Sequence, residues 1–166
     1  MVMEREIYMR RKDREIKDIA KINQIINNSK VLRLGLFDDG YPYVVPLHFG
    51  YEVKDSKFVF YMHSAKEGHK LDLIENNNAS CIEIDNAIEL MSGGDVPCDY
   101  SSTFASVIAR GRTEVITNAA DKIHGLKILM KHQTGRDFDI DVKMAETVNV
   151  ILFVADELTA KAKGDV

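Results

Sequence analysis

A chain of 166 residues that is 45% hydrophobic and 29% charged has the composition of one globular domain with a sizeable core, and it is short for two. Its net charge of −4 gives no general attraction for nucleic acid or an anionic membrane, so any anion site must be local. Cys81 and Cys98 have no Cys-x-x-Cys spacing, the charged N-terminus lacks a signal peptide's apolar core, and no run approaches the roughly 20 apolar residues of a membrane span, so a cytoplasmic protein with reduced thiols and no metal site is expected.

Residues 1–14 read as an extended N-terminal arm of the single domain. Ile16, Ile19, Ile22, Ile25 and Ile26 then recur every three to four positions, which places them on one face of a helix capped by Asp13. Asn27-Asn28-Ser29 ends it. Residues 30–37 read as a strand running into Asp38-Asp39-Gly40, a hairpin signal, and residues 41–51 as the returning strand. Pro42 and Pro46 cannot donate to a ladder. This strand is therefore expected at an edge or with interrupted pairing, leaving backbone groups near residues 45–48 open. After a turn at residues 54–57, residues 59–62 form a short apolar strand ending in His63. Ser64 and Glu67 have the spacing of a capping box, so a helix is expected to start at Ser64. Its first turn holds Gly68, His69 and Lys70, and its free N–H groups and dipole suit a phosphate. A closed box would consume those same donors. The preferred reading turns Ser64 toward the anion and leaves Lys70 as the main counter-charge.

Asn76-Asn77-Asn78 stops that helix, residues 79–85 and 88–91 read as two short strands, and residues 92–99 as an irregular, mobile loop. Residues 103–116 are the longest strand candidate, with Gly111 at a bulge or close contact. Asn118 caps a helix carrying Ile123, Leu126, Leu129 and Met130 and ending near Gly135; a short polar helix follows at residues 139–145. Residues 147–154 make a last strong strand and 158–163 a brief terminal one. Six or seven strands joined mostly by hairpin-length connections, with two or three peripheral helices, give a β-rich α+β fold built on a barrel-like antiparallel sheet.

No Gly-x-Gly-x-x-Gly, P-loop or His-Glu-x-x-His occurs, which removes support for a Rossmann dinucleotide site, P-loop hydrolysis and common zinc hydrolases. His48, His63 and His69 on neighbouring elements could meet as metal ligands, although no carboxylate or thiol has matching spacing. His63 and Ser64 are adjacent, so strand geometry turns their side chains apart and argues against a nucleophile–base pair. Arg110 and Arg112 would share a strand face, for phosphate or for surface ion pairs.

Three stretches carry a resemblance: Pro42-Tyr-Val-Val-Pro46-Leu-His-Phe-Gly-Tyr51, Phe60-Tyr-Met-His63-Ser64-Ala65-x-x-Gly68-x-Lys70-Leu-Asp, and Ser102-x-x-x-Ser106-Val-x-Ala-x-Gly111. In order and spacing they resemble the pyridoxamine phosphate oxidase-like split barrels. More narrowly, they resemble the branch of flavin-nucleotide-binding or 5-nitroimidazole resistance proteins. The resemblance covers residues 10–163. It implies a six-stranded antiparallel split β-barrel that dimerises, with one flavin mononucleotide (FMN) in each of two clefts between subunits. By motif, His63, Ser64, Ala65 and Lys70 would follow the flavin phosphate and ribityl chain, with Val45, Pro46 and Leu47 against the ring. Arg33 would be a further phosphate partner, and Ser106 would approach from the third motif. His63 is the implied functional residue. At His69 an arginine is common in the family, so part of the charge expected on the phosphate is titratable here.

The chemistry so implied needs no triad, because a flavin carries it. NADH or NADPH would donate electrons that pass to a nitroaromatic compound or a quinone, with His63 donating a proton or hydrogen-bonding the acceptor. A flavin- or nucleotide-binding protein for storage, sensing or regulation is the alternative. Haem or a metal on His48, His63 and His69 is a third reading, and flavin adenine dinucleotide (FAD) could replace FMN. A vitamin B6 oxidase has less support, since no arginine-histidine pair stands near the C-terminus.

Overall fold

The computed structural model describes residues 9–164, and their strands close on themselves. In chain order these are β1 (Glu15–Ile16), β2 (Val31–Asp38), β3 (Tyr41–Lys54), β4 (Lys57–Ser64), β5 (Ala79–Met91), β6 (Ser101–Ile116) and β7 (Asn149–Lys163). All pair antiparallel, in the order β1-β7-β4-β3-β2-β5-β6. A further ladder between β6 and β7 joins the ends, so six strands form a ring and β1 extends its rim. This is the split-barrel architecture expected from the sequence.

Four helices surround the ring: α1 (Ile19–Asn27), α2 (His69–Asn76), α3 (Ala119–Thr134) and α4 (Val142–Glu146). Ile22, Ile25 and Ile26 of α1, and Leu73 and Ile74 of α2, join the buried cluster that contains Leu34, Phe49, Phe60 and Phe153. α1 closes the end of the ring where Asn86 donates to Ile25 O, and α2 the end where His69 meets Asp38. α3 lies on the outside, over a second cluster of Val59, Tyr61, Leu126, Ala145 and Val150. It approaches closely because two glycines permit it. A Cβ on Gly50 would stand 2.5 Å from Leu129 Cα, and one on Gly125 2.6 Å from Tyr61 Cδ1. Its ends are as read from the sequence: Asn118 accepts from Ala120 N and Asp121 N, and Gly135 stops the helix at φ 74°.

β3 changes partners midway, and this creates the site. Its residues 41–48 pair with β2, whereas residues 49–54 pair with β4. β4 stays with β3 only as far as Phe49↔Met62; His63 and Ser64 pair with Val150 and Asn149 of β7. Among the described residues, one edge of β3 over residues 41–48 is therefore unpaired, as Pro42 and Pro46 require.

Several local expectations are corrected. The first helix starts after Asp18, whose side chain accepts from Ala20 N, and not at Asp13. Ile16 pairs with Ala160 in β1, which takes it out of the helical stripe, and Ile19 is exposed. The arm expected over residues 1–14 falls partly on residues 1–8, outside the described residues; Lys12–Arg14 form a 3-10 turn. The capping box does not form, because Ser64 remains in β4 and α2 begins only after four intervening residues, with Gly68 as N-cap. Residues 79–85 and 88–91 are one strand, its register shifting between Asn86 and Glu89 where Ala87 takes φ 55°. Residues 147–154 and 158–163 likewise fuse into β7, with Asp156 as the extra residue opposite the Arg110/Gly111 step. Of the two readings of Gly111, the close contact is present, since a Cβ there would lie 2.0 Å from Val154 O, while the extra residue of the adjoining bulge belongs to β7.

Candidate functional site

Where β3 and β4 part, a shelf opens. One wall is the free edge of β3, and the other is the end of β4, the loop at residues 65–68 and the first turn of α2. Strand alternation turns Val45 and Leu47 partly inward against the core and Pro46 outward to solvent, so a ligand on this wall meets mainly backbone and the proline ring. Opposite, His63 is exposed, and Ser64 is buried with Oγ donating to Ala65 O at 2.9 Å. The serine thus turns inward, and its proton is held within the loop.

Gly68 takes φ 147° and ψ 150°, a region open in practice to glycine alone, and this brings the chain sharply from strand to helix. No side chain caps α2, and among the described residues Glu67 makes no bond back to its N-terminus. The first N–H groups of the helix thus face the loop with the positive end of the dipole. Lys70 Nζ folds over this turn, 3.8 Å from where a Gly68 Cβ would be. Among the described residues neither the Lys70 nor the His63 side chain has a hydrogen bond or ion pair. His69 Nε2 lies 2.7 Å from Asp38 Oδ2, and its ring stands edge-on to Tyr43 with centroids 5.4 Å apart.

Two further sequence-derived candidates lie apart from this turn. Arg33, opposite Pro46 on β2, holds Glu83 Oε2 at 3.0 Å through Nη1 and contacts Asp85 with the same atom. Burial, then the Asp85 charge, pushes the Glu83 carboxyl up, against the pull of Arg33. Ser106 sits opposite Asp85 on β6, toward the α1 end of the ring, whereas residues 63–70 are at the α2 end. One chain therefore brings together Val45, Pro46, Leu47, His63, Ser64, Ala65 and Lys70, but not Ser106. Sequence reading missed Asp38, visible there only as a turn residue, and the Arg33 carboxylates, which are about fifty positions away and have no local signature.

Two open grooves border the region without including Val45 or His63. One of about 990 Å³ runs along the far side of the loop and α2, and one of about 940 Å³ lies on the outer face among Phe37, Tyr41, Pro42 and Arg110. That outer face carries exposed apolar side chains, with Phe37 64%, Tyr41 79% and Val44 59% accessible. Among the described residues no group of three or more His, Cys, Asp or Glu is placed to hold a metal ion, and His48 Nδ1 instead contacts Lys30 O at 3.2 Å. Cys81 and Cys98 are free thiols. No helix among the described residues is long and apolar enough to cross a membrane.

Residues 18–162 match the protein family described as pyridoxamine 5'-phosphate oxidase. Among solved structures, a candidate 5-nitroimidazole antibiotic resistance protein from Bacteroides thetaiotaomicron is 34% identical, over 89% of this chain and 86% of its own, with a TM-score of 0.76. The flavocytochrome Anf3 from Azotobacter vinelandii shares the fold at 19% identity, over 98% of this chain and 75% of its own, with a TM-score of 0.77. An FAD and heme binding protein from Mycobacterium smegmatis does so at 15% identity, over 92% and 74%, with a TM-score of 0.76. No curated protein matches.

Proposed function

The chain belongs to the pyridoxamine 5'-phosphate oxidase family, and from that premise we propose that it is a homodimeric flavoprotein that binds FMN and reduces a small acceptor. The observation that carries this reading is the open edge of β3 facing an uncapped, cationic strand-to-helix turn. A flat polar ring needs unpaired backbone beside it, and its phosphate needs donors and charge. Lys70 and the first N–H groups of α2 serve the phosphate; His63, Ser64 and Ala65 line its approach; Val45, Pro46 and Leu47 border the ring. The flavocytochrome and the FAD and heme binding protein support flavin as the ligand class, and the 5-nitroimidazole resistance relative supports a nitroaromatic acceptor, with a quinone as the other candidate.

When bound, the flavin supplies the electron transfer between NADH or NADPH and the acceptor. The protein's own task is to bind, orient and shield the ring. His63, exposed at the mouth of the shelf, is the side chain that would donate a proton or a hydrogen bond to the acceptor. Arg33 stays with Glu83 and Asp85 and orders the floor beside Pro46 without serving the phosphate directly. The exposed apolar face of Phe37, Tyr41 and Val44 supports the homodimer, and Ser106, which lies away from the shelf of its own barrel, is assigned in this reading to the site of the partner. Free thiols suit a cytoplasmic setting.

The test is an absorbance spectrum of the purified protein, followed by anaerobic addition of NADH or NADPH and then a nitroimidazole or quinone. Bleaching and recovery are expected, with mass spectrometry of the released cofactor giving FMN over FAD. Flavin that stays bound without bleaching would replace the enzyme by a flavin-binding protein for storage, sensing or regulation. No flavin, either as purified or after reconstitution, would overturn the reading.

A further inference from the structure

Among the described residues, one side-chain hydrogen bond ties the first turn of α2 to the β2–β3 hairpin, and so ties one wall of the shelf to the other. His69, the first residue of α2, places Nε2 2.7 Å from Oδ2 of Asp38, the last residue of β2, and stands its ring edge-on to Tyr43 of β3 with centroids 5.4 Å apart. A carboxylate only accepts, so Nε2 carries the hydrogen in this contact. The imidazole is thus held by Asp38 at one edge and by Tyr43 beside it.

Little else holds that turn. No residue from 65 to 72 is buried, and the buried side chains of α2 begin at Leu73. Asn149 Nδ2 donates to Lys66 O at 3.1 Å and Ala65 O at 3.4 Å, which anchors the loop only upstream of Gly68, where the chain turns on a glycine at φ 147°. The hairpin side is the firmer one. Asp38 pairs with Tyr41 across a tight turn in which Asp39 and Gly40 take φ 39° and 88°. The hairpin therefore sets where the turn of α2 stands, and not the reverse.

We propose that Asp38 is a positioning residue for the flavin phosphate, acting through His69 to set the spacing between the first turn of α2 and the free edge of β3. This rests on the flavin reading of the shelf, in which Lys70 and the first N–H groups of α2 receive the phosphate while β3 borders the ring. A ligand that spans both walls is bound best when their spacing is fixed beforehand. Charge alone predicts the opposite sign. An aspartate beside a phosphate repels it, and a histidine released from its carboxylate is free to turn to the anion, so on electrostatic grounds loss of Asp38 would tighten binding.

Titration with FMN, followed by flavin fluorescence, separates the two. Asp38→Ala and His69→Ala should each weaken binding about three-fold to ten-fold, and the double variant should bind no more weakly than either single one, since all three lack the same contact. Asp38→Asn discards the charge but keeps an oxygen that accepts, and should recover most of the affinity lost in Asp38→Ala. In the flavin-free protein, amide hydrogen exchange over residues 71–74 should quicken in Asp38→Ala. Both side chains reach solvent, so the variants should melt close to the parent. Tighter or unchanged binding in Asp38→Ala, additive losses in the double variant, or unaltered exchange overturns the proposal and leaves the flavin reading in place. A parent protein that takes up no FMN removes that reading and the role of Asp38 together.

Discussion

β3 and β4 are each divided at the Phe49↔Met62 pair, and their two halves are opposites. On the paired half, beneath α3, polar groups are satisfied. Tyr61 Oη donates to Glu52 Oε1 at 2.7 Å, His124 Nε2 meets the same oxygen at 2.9 Å, and Gln133 Nε2 donates to Phe49 O at 2.7 Å. Burial tends to raise the Glu52 carboxyl, but the hydrogen bonds from His124 and Tyr61 prevail and hold it below its usual range. His132 donates Nε2–H to Ser29 O at 2.7 Å and stacks on Phe49 with ring centroids 4.6 Å apart. On the parted half, β3 keeps a free edge, α2 has no side-chain cap, and the Lys70 and His63 side chains have no hydrogen-bond or ion-pair partner among the described residues. A pair of strands can thus be rigid where the core needs it and unsatisfied where a ligand would be held, with the first half positioning the second.

Four variants would break or sharpen that contrast. Gly50→Val acts on the paired half, where the new side chain meets the backbone of α3, and should destabilise the fold by roughly 3 kcal/mol or more in denaturant unfolding. A near-neutral result would mean that α3 is not fixed as described. Lys70→Ala acts on the parted half and should weaken flavin binding about ten-fold to a hundred-fold, roughly 1.5–3 kcal/mol, without shifting the melting temperature. Arg33→Ala, like Lys70→Ala followed by the quenching of flavin fluorescence on titration with protein, should change affinity by less than about three-fold, because its guanidinium already serves two carboxylates. The smallest effect is on pH. Burial lowers the His132 pKa, against the pull of its bond to Ser29 O, so the folded state binds fewer protons there than the unfolded chain. Its neutral-form stability is intact above the ordinary histidine value of about 6.5 and is lost as pH falls from there to the lowered folded value. Melting temperatures between pH 7.5 and about 5 should decline less in His132→Gln than in the parent; parallel curves would remove His132 from the α3 clasp.

Features set by contiguous residues were legible in the sequence. Asp39 and Gly40 take φ 39° and 88°, and Asp55 and Ser56 take 50° and 63°, as tight hairpins demand. Asn118 and Gly135 bound α3, and the prolines foretold the free edge of β3. What failed was overridden from a distance. Ser64 looked like an N-cap, but its ladder with Asn149, eighty-five positions on, holds it in the strand. Ile16 fitted a helical stripe until Ala160 claimed it. Asn86-Ala87 and Asp156 read as breaks, yet a long strand absorbs them as irregularities. Within the candidate site the local motif at residues 63–70 was visible, whereas the Asp38–His69 contact arises from the docking of α2 on the end of β2 and the Arg33–Glu83 contact from register between β2 and β5, and neither has a sequence period.

The two prolines of β3 have a further consequence for the protein in a crowded solution. An unpaired edge is a template on which another chain can add a strand, the first step toward fibrous association. Antiparallel geometry sends alternate N–H groups to opposite sides, and proline cannot serve the β2 ladder, so residues 42, 44, 46 and 48 are those facing outward. Pro42 and Pro46 leave only Val44 and His48 as donors along that side. An incoming strand would find half the donors along that side missing, while a compact ligand needing one or two contacts would lose nothing. The edge can therefore stay open without inviting polymerisation.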